Sequence, residues 1–358
     1  MKISKLIFTI GLSLALCACD NSSKDNITSV SSGTYILNNG NWGSNDSNIG
    51  VYNPSTRKFT ADAFKMANGV NLGDLGQDIT GLGEEIYIAV NGSQTIFVTD
   101  ADLKVKQQIK ADKEGTRLSP RYFATCGTKV YVTYYEGYVG EIGSDYSVRF
   151  CPVGPNPEGM ASAGGNLYVA NSGGMSYPSY NNTISVVSIA TFAETSTIEV
   201  NVNPTKVEAS SDGAYVYVSS FGNYSDIPAK LQVISTETSA VTDLAYTSVS
   251  AIAKGQNDVL YILCGGYDEN WNPLPGTVYR HDMKSNKSLG AFVTDGTTLP
   301  DAYSISATSD GYVYIGCSDY KNTGDVYVFT PEGKLHEKLL AADICGIIGS
   351  ENSNLTRI

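Results

Sequence analysis

Histidine and positive charge are both scarce in this chain of 358 residues. It has two histidines, and its 24 lysines and arginines stand against 36 acidic residues, for a formal net charge of −12. We predict that both histidines, His281 and His336, face solvent, so neither a histidine-based catalytic triad nor a histidine-rich metal site is expected. The acidic balance argues against nucleic acid and anionic lipid surfaces as partners.

Sequence motifs of catalysis and metal binding are also missing. The chain has no G-x-S-x-G, no H-E-x-x-H, no phosphate-binding loop, no dinucleotide fingerprint and no C-x-x-C pair. Acidic and amide side chains in two loops, Asp46 with Asn48 and Asp268 with Glu269 and Asn270, leave calcium bound through oxygen open as an alternative to ordinary turn chemistry. We therefore predict that the protein is not an enzyme and has no catalytic cofactor.

Cysteine is infrequent, with seven in the chain and five after the N-terminal segment. Each of these five lies in or beside an apolar run, as a small buried hydrophobic side chain would. A disulfide between Cys264 and Cys317, which end corresponding strands in neighbouring repeats, stays open as an alternative.

Tyrosine and glycine, in contrast, are abundant, with 24 and 36 copies, and the tyrosines follow a pattern. Seven times a tyrosine lies inside a short apolar run that precedes a loop rich in Gly, Asn and Ser. These tyrosines are spaced 37 to 53 residues apart, and they are Tyr35, Tyr87, Tyr131, Tyr168, Tyr217, Tyr261 and Tyr314. The spacing matches the four-stranded repeat of propeller blades. The sequence therefore predicts an all-β fold, a seven-bladed β-propeller.

Each repeat is interpreted as four strands, a to d, from the channel outward. The third repeat shows all four, at residues 122–125, 129–135, 138–142 and 147–152. The first repeat begins directly at strand b, and the apolar C-terminal segment 342–348 has no repeat of its own. We predict that this segment pairs into the first blade and closes the ring, which leaves no exposed edge between the first and last blades.

The N-terminus is typical of a signal peptide. Lys2 and Lys5 precede an apolar run at residues 6–16, and the segment Leu16-Cys17-Ala18-Cys19 resembles a bacterial lipobox. The resemblance implies that residues 1–18 are removed and that Cys19 is lipidated. Residues 19–32 then form a flexible tether, and residues 33–358 form the propeller. An ordinary secretory signal is the alternative.

The loops between strands b and c carry both tryptophans and many tyrosines among Asn, Ser and Gly. Rigid rings beside adaptable hydrogen-bonding groups are typical of recognition surfaces. In a propeller these loops surround one mouth of the central channel. We predict a ligand-binding face formed by Trp42, Asn91, Tyr134, Tyr135, Tyr177, Tyr180, Phe221, Tyr224, Tyr267, Trp271 and Tyr320. The alternative is that the rings fold back and pack the loops onto the blades.

The first repeats carry a recognisable string. Residues 38–49 read NNGNWGSNDSNI, residues 71–79 read NLGDLGQDI, and residues 86–93 read IYIAVNGS. Together with the lipobox they resemble the YncE-like seven-bladed propeller lipoproteins, and among these the BtuG surface lipoproteins. The resemblance covers the chain from the lipobox to the closing strand, and it carries over no individual binding residue.

The resemblance implies a lipoprotein of the outer membrane, exposed at the cell surface, with the periplasmic leaflet as the alternative. It implies high-affinity binding of a corrinoid, cobalamin or cobinamide, and its transfer to a BtuB-like TonB-dependent transporter. A propeller that binds a protein or a glycan within a nutrient-uptake complex is the alternative function.

Overall fold

The computed structural model describes residues 33–267, 273–318 and 324–340. Nearly all regular structure in these residues is β-strand, and the blade sheets form a ring. This confirms the seven-bladed β-propeller. The signal peptide, Cys19, the tether and the C-terminal segment that we expect to close the ring lie outside the described residues. Within the described part of the chain, no helix combines the length and apolar character needed to cross a membrane.

The blades follow one another along the chain, and the inner strands of neighbouring blades contact each other. Blade 1 contains strands b, c and d, and the other blades contain strands a to d. Blades 1 to 3 comprise Thr34–Asn38, Asn48–Asn53 and Lys58–Thr60; Gly76–Leu82, Glu85–Val90, Thr95–Thr99 and Val105–Ile109; and Pro120–Cys126, Lys129–Tyr134, Tyr138–Ile142 and Val148–Pro152.

Blades 4 to 7 repeat the four-stranded antiparallel pattern. Their strands are Pro157–Ala163, Asn166–Asn171, Thr183–Ser188 and Ala193–Glu199; Pro204–Ala209, Tyr215–Ser220, Lys230–Ser235 and Val241–Asp243; Val249–Lys254, Val259–Tyr267, Pro273–Asp282 and Lys287–Ala291; and Ala302–Ala307, Val313–Cys317, Asp325–Phe329 and Leu335–Leu339. In blade 6, strands b and c reach further than expected, because most of the predicted loop at 264–276 is a β-hairpin.

The seven repeated tyrosines lie in the interfaces between blades. All of them are at most 7% exposed. Each packs in a different hydrophobic cluster, and each cluster combines residues of two neighbouring blades. Because a single four-stranded sheet cannot cover its own faces, these clusters are what holds each blade to the next.

The ring closes by packing of blade 7 against blade 1. Tyr314 lies edge-on to Tyr52 with ring centroids 6.4 Å apart, and its hydroxyl is 2.7 Å from the hydroxyl of Thr34. Arg57 of blade 1 forms an ion pair of 3.3 Å with Glu337 of blade 7. Side chains of the described residues therefore join the first and last blades.

In residues 33–267, 273–318 and 324–340, three short elements interrupt the blades. They are the helix Ala63–Asn68, the two-stranded hairpin formed by Asp112–Lys113 and Thr116–Arg117, and the 3-10 turn Gln256–Asp258. The helix was not predicted, since six residues are too few to show helical periodicity. Its Phe64 is buried and packs against Phe97 of blade 2, with ring centroids 5.1 Å apart.

The expectation for His281 is wrong, and one alternative that was left open is not realised. His281 is 3% exposed, and its ring nitrogens lie 3.0 Å from the Tyr246 hydroxyl and 2.9 Å from Asn286 Oδ1. Burial lowers the pKa of this imidazole. Cys264 and Cys317 are free, buried thiols, so they do not form the bridge that was left open.

Candidate functional site

The b–c loops and the connections into strand a lie on one face of the ring, which we call the upper face. In blades 2 to 7 a residue in the last part of strand b or just after it donates its backbone N–H to the carbonyl just before strand a. The pairs, at 2.8–3.2 Å, are Asn91 to Leu75, Tyr135 to Ser119, Ser172 to Asn156, Phe221 to Asn203, Gly265 to Ser248 and Ser318 to Asp301.

The accepting residue has an unusual backbone in five of these six blades. Leu75, Asn156, Asn203, Ser248 and Asp301 all have φ between 46° and 60°, a region that residues other than glycine rarely occupy. The register of the inner strand then shifts at its first residues in all six blades. The register shift therefore re-aims the start of the inner strand in each of these six blades.

Four of the predicted rings form one continuous cluster, which we call the aromatic ridge. Tyr177 and Tyr180 come from the b–c loop of blade 4, and Phe221 and Tyr224 come from that of blade 5. The ring centroids are 6.0 Å apart for Tyr177–Tyr180, 6.0 Å for Tyr180–Tyr224 and 6.3 Å for Phe221–Tyr224. Tyr177 is 73% exposed and Tyr224 is 57% exposed. The ridge therefore presents stacked ring edges and faces to solvent.

Both ridge loops are closed at their bases. In blade 4, the Asn181 N–H donates to the Ser172 carbonyl at 2.9 Å. In blade 5, Asn223 donates its N–H to the Ile227 carbonyl at 3.1 Å and accepts the Ile227 N–H on its side chain at 2.9 Å. Gly222 has φ of 72°, and a Cβ there would lie 2.0 Å from the Ile227 carbonyl oxygen. These contacts fix the loops that hold the rings outward.

The other predicted residues occupy different positions. Trp42 lies in the b–c loop of blade 1 and is 86% exposed. Asn91 uses its side-chain amide to bond the Pro120 carbonyl at 3.2 Å, so this group fastens the loop to blade 3. Trp271 and Tyr320 lie outside the described residues, as does the side chain of Tyr267.

Tyr134 is not on the upper face, and this prediction is wrong. It is the last residue of its strand, fully buried, with its ring 5.8 Å from that of Phe150 in the interface between blades 2 and 3. Burial raises the pKa of its phenol well above the usual range. Side chains alternate between the faces of a strand, so Tyr134 and Tyr135 have different surroundings.

Sequence reasoning missed a polar group at the channel, which we call the channel cluster: Gln77, Arg121 and Glu158. Arg121 donates from Nε and Nη2 to Glu158 Oε2 at 3.0 and 2.6 Å, and from Nη1 to Gln77 Oε1 at 2.7 Å. Its guanidinium carbon lies 4.8 Å from the ring centroid of Tyr135. One sequence feature could have indicated this cluster. A charged residue follows the proline at the start of two inner strands, Arg121 after Pro120 and Glu158 after Pro157.

A second polar layer lies on the same inner strands. Lys206 Nζ is 3.8 Å from the ring centroid of Tyr122, and Asp78 accepts the backbone N–H of Phe123 at 2.8 Å. Burial raises the pKa of Asp78 to about 6, although Lys206 lowers it. Glu208 adds to the increase. The carboxyl of Asp78 thus caps the channel-facing edge of the neighbouring inner strand.

We expect Asp78→Asn to raise the free energy of unfolding by about 3 kcal/mol at pH 7. A carboxyl whose pKa is higher in the folded state than in the unfolded chain costs stability as pH rises from about 4 to about 6. The amide removes this cost and still accepts the Phe123 N–H. Urea unfolding between pH 4 and 8 checks this, since only the wild type should lose stability across that range. Equal pH profiles for the two proteins would contradict the expectation.

Among the described residues, no group of three or more His, Cys, Asp or Glu side chains is arranged to hold a metal ion. Asp46 binds the backbone N–H and the side-chain amide of Asn41, at 2.7 and 2.8 Å, and so shapes the blade 1 loop. Calcium binding stays an open alternative, and the second candidate loop, at 268–270, lies outside the described residues.

No protein-family model matches the sequence, and no curated protein matches it. Solved structures match the fold. Hydrazine synthase of Kuenenia stuttgartiensis has a TM-score of 0.58 at 18% identity, over 72% of this chain and 77% of that one. The dihydro-heme d1 dehydrogenase NirN in complex with DHE has a TM-score of 0.54 at 15% identity, over 86% of this chain but 63% of that one.

The WD40 domain of Neurospora crassa Pan2 has a TM-score of 0.53 at 10% identity, over 73% of this chain and 78% of that one. At these identities the likeness shows the propeller fold alone. Two of the three names are those of enzymes, so the fold does not decide between binding and catalysis.

Proposed function

We propose that this protein is a lipoprotein that binds a corrinoid, cobalamin or cobinamide, on its upper face and passes it to a TonB-dependent transporter of the outer membrane. The observation that carries the proposal is the aromatic ridge, which is exposed on loops closed by hydrogen bonds at their bases. Preformed rings bind a large ligand without first losing conformational freedom.

The chemistry of a corrinoid suits this face. The corrin ring has broad apolar surfaces that can lie against aromatic rings, and its edge carries many amide groups. The blade 4 loop exposes two serines beside the rings, Ser176 and Ser179, whose hydroxyl groups can form hydrogen bonds with such amides. One protein of the same fold is named for dihydro-heme d1, a macrocycle of comparable size.

The surroundings of the two histidines favour binding over catalysis. His281 is held between Tyr246 and Asn286, and His336 lies 3.0 Å from the carbonyl oxygen of Pro54 at the junction of blades 7 and 1. Both rings therefore serve contacts within the scaffold. The rings of the aromatic ridge, in contrast, can contact a ligand.

Transfer to a transporter follows from the proposed anchor. Lipid on Cys19 would hold the protein to the membrane, and residues 19–32 would reach at most about 45 Å. Such a tether keeps the local concentration of the propeller high beside a transporter in the same membrane. This step depends on the resemblance to the BtuG lipoproteins.

Calorimetry of the purified protein against cyanocobalamin, cobinamide, haem and oligosaccharides tests the function. We expect tight binding of the corrinoids, with the red colour of cyanocobalamin retained through gel filtration. Binding of an oligosaccharide alone would favour the glycan-binding alternative. Failure to bind any of the four, with a transporter captured instead, would favour a protein-binding scaffold.

We expect Tyr224→Ala to weaken cyanocobalamin binding about 10-fold, since Tyr224 contacts two of the other three ridge rings. Tyr215→Ala serves as the control, because Tyr215 begins strand b at the opposite end of the same blade. Calorimetry gives both affinities. An equal loss in the two variants would show that the ridge is not the binding surface.

A further inference from the structure

The channel cluster contains hydrogen-bond donors that the described residues do not use. Arg121 has five N–H groups, and its bonds to Glu158 and Gln77 use three of them. Gln77 is 2% exposed, yet its Nε2 has no partner among the described residues. Buried donors without an acceptor are rare in folded proteins, because each one costs stability. A ligand acceptor at this position would complete the cluster.

The cluster lies at the upper mouth of the channel. Arg121 and Glu158 are the second residues of their inner strands, inside the register shift described above. The ring of Tyr135, the first b–c loop residue of blade 3, covers one face of the guanidinium at 4.8 Å. This stacking and the two side-chain partners fix the plane of the guanidinium, so its remaining N–H groups have defined directions.

The charges around the cluster favour a neutral group. Arg121 is paired with Glu158, and the second layer brings Lys206 together with Asp78 and Glu208. Three acids against two cations do not attract a carboxylate or a phosphate. Glu158 uses Oε2 for both bonds to Arg121, which leaves Oε1 to accept a further hydrogen bond.

We propose that the channel cluster is a subsite for a primary carboxamide on the edge of the ligand. The carbonyl oxygen of the carboxamide accepts hydrogen bonds from Arg121 and Gln77, and its NH₂ group donates to Glu158. The subsite deepens the proposed function, on which it rests for the identity of the whole ligand. It assigns the amide-bearing edge of that ligand to the channel and its flat face to the ridge.

The test uses propionamide and propionate as probes of the subsite alone. In ¹⁵N-labelled protein, we expect propionamide to shift the Gln77 side-chain resonance saturably, with a dissociation constant on the order of millimolar. Propionate should be at least about 10-fold weaker. Gln77→Glu keeps the acceptor for Arg121 and removes the Nε2 donor, so this variant should fold and bind propionamide about 10-fold more weakly. Resonances of neighbouring backbone amides report its binding.

Gln107→Glu is the matched control, because it makes the same change on the exposed outer strand of blade 2. Cyanocobalamin affinity of the two variants forms the second arm, with about a 10-fold loss expected for Gln77→Glu only. If propionamide causes no saturable shift, or binds no better than propionate, the subsite is overturned even where cyanocobalamin binds. If propionamide binds and cyanocobalamin does not, the subsite stands and the proposed corrinoid function falls.

Discussion

Replacing Tyr314 by alanine is expected to lower the free energy of unfolding by about 3–5 kcal/mol. Tyr314 is fully buried where the last blade meets the first, packed edge-on against Tyr52 and bonded to Thr34. Removal of the Tyr314 side chain leaves a cavity in the cluster that joins these two blades. A propeller that opens at this interface exposes the sheets of its first and last blades to water. Urea unfolding, followed by circular dichroism, measures the loss.

Two further variants separate packing from hydrogen bonding at this interface. Tyr314→Phe keeps the ring and removes the hydroxyl that bonds Thr34, so we expect a loss of about 1 kcal/mol. Tyr177→Ala removes an exposed ridge tyrosine and should change stability by less than about 0.5 kcal/mol. A loss for Tyr314→Ala no larger than that for Tyr177→Ala would mean that this interface does not close the ring.

The blade architecture could be predicted because it repeats. The same space between two blades is filled seven times by a tyrosine of strand b, from Tyr35 to Tyr314, so the constraint is visible as a period in the sequence. The third blade shows how accurately strand bounds could be predicted from the repeat. Its strands begin and end within two residues of the predicted bounds, because Gly127 and Gly137 mark its first two turns.

Positions that do not repeat were harder to predict. His281 lies between two charged residues, Arg280 and Asp282, which suggested an exposed strand. Alternation instead turns His281 inward, where Tyr246 from a neighbouring connection meets it. No local sequence pattern indicates that Tyr246 is the partner of His281, since the two residues are 35 positions apart in the chain.

The candidate site likewise has one part that could be predicted from the sequence and one part that could not. Composition alone placed Tyr177, Tyr180, Phe221 and Tyr224 in upper-face loops, and the loops of two adjacent blades bring them together. The channel cluster depends on side chains 37 and 44 residues apart that meet only because the blades are arranged around a ring. Its members were therefore visible as single polar or charged residues but not as a group.

The largest electrostatic effect on the free energy of unfolding is expected from substitution of Asp258, whose carboxylate connects blade 6 to blade 5. The carboxylate is 4% exposed, accepts the backbone N–H of Ser211 at 2.7 Å and its hydroxyl at 2.5 Å, and pairs with Lys254 and Lys284 at 3.1 and 3.0 Å. Burial alone would raise the pKa of Asp258. The bonds from Ser211 and Lys284 outweigh this effect and hold the pKa below its usual range.

Asp258→Ala is therefore expected to cost about 3–5 kcal/mol, since it leaves the Ser211 donors without their acceptor and the largely buried Lys254 without its counter-ion. Asp258→Asn should lose less, because the amide oxygen still accepts from Ser211. A carboxyl with a lowered pKa contributes stability above the pKa of the unfolded chain, about 3.9, and loses it as pH falls below that value. The stability gap between the wild type and Asp258→Asn should therefore narrow between pH 5 and pH 2.

Asp145→Asn is the control for Asp258→Asn, because Asp145 is exposed and bonds only its own turn at Ser147. It should show neither a comparable loss at neutral pH nor a comparable narrowing in acid. Thermal unfolding of the three proteins at each pH provides the comparison. If the stability difference between the wild type and Asp258→Asn stays constant down to pH 2, the shape of the Asp258 side chain stabilises the fold and its charge does not. The junction of blades 5 and 6 would then depend on hydrogen bonding to Ser211, with the two lysines contributing little.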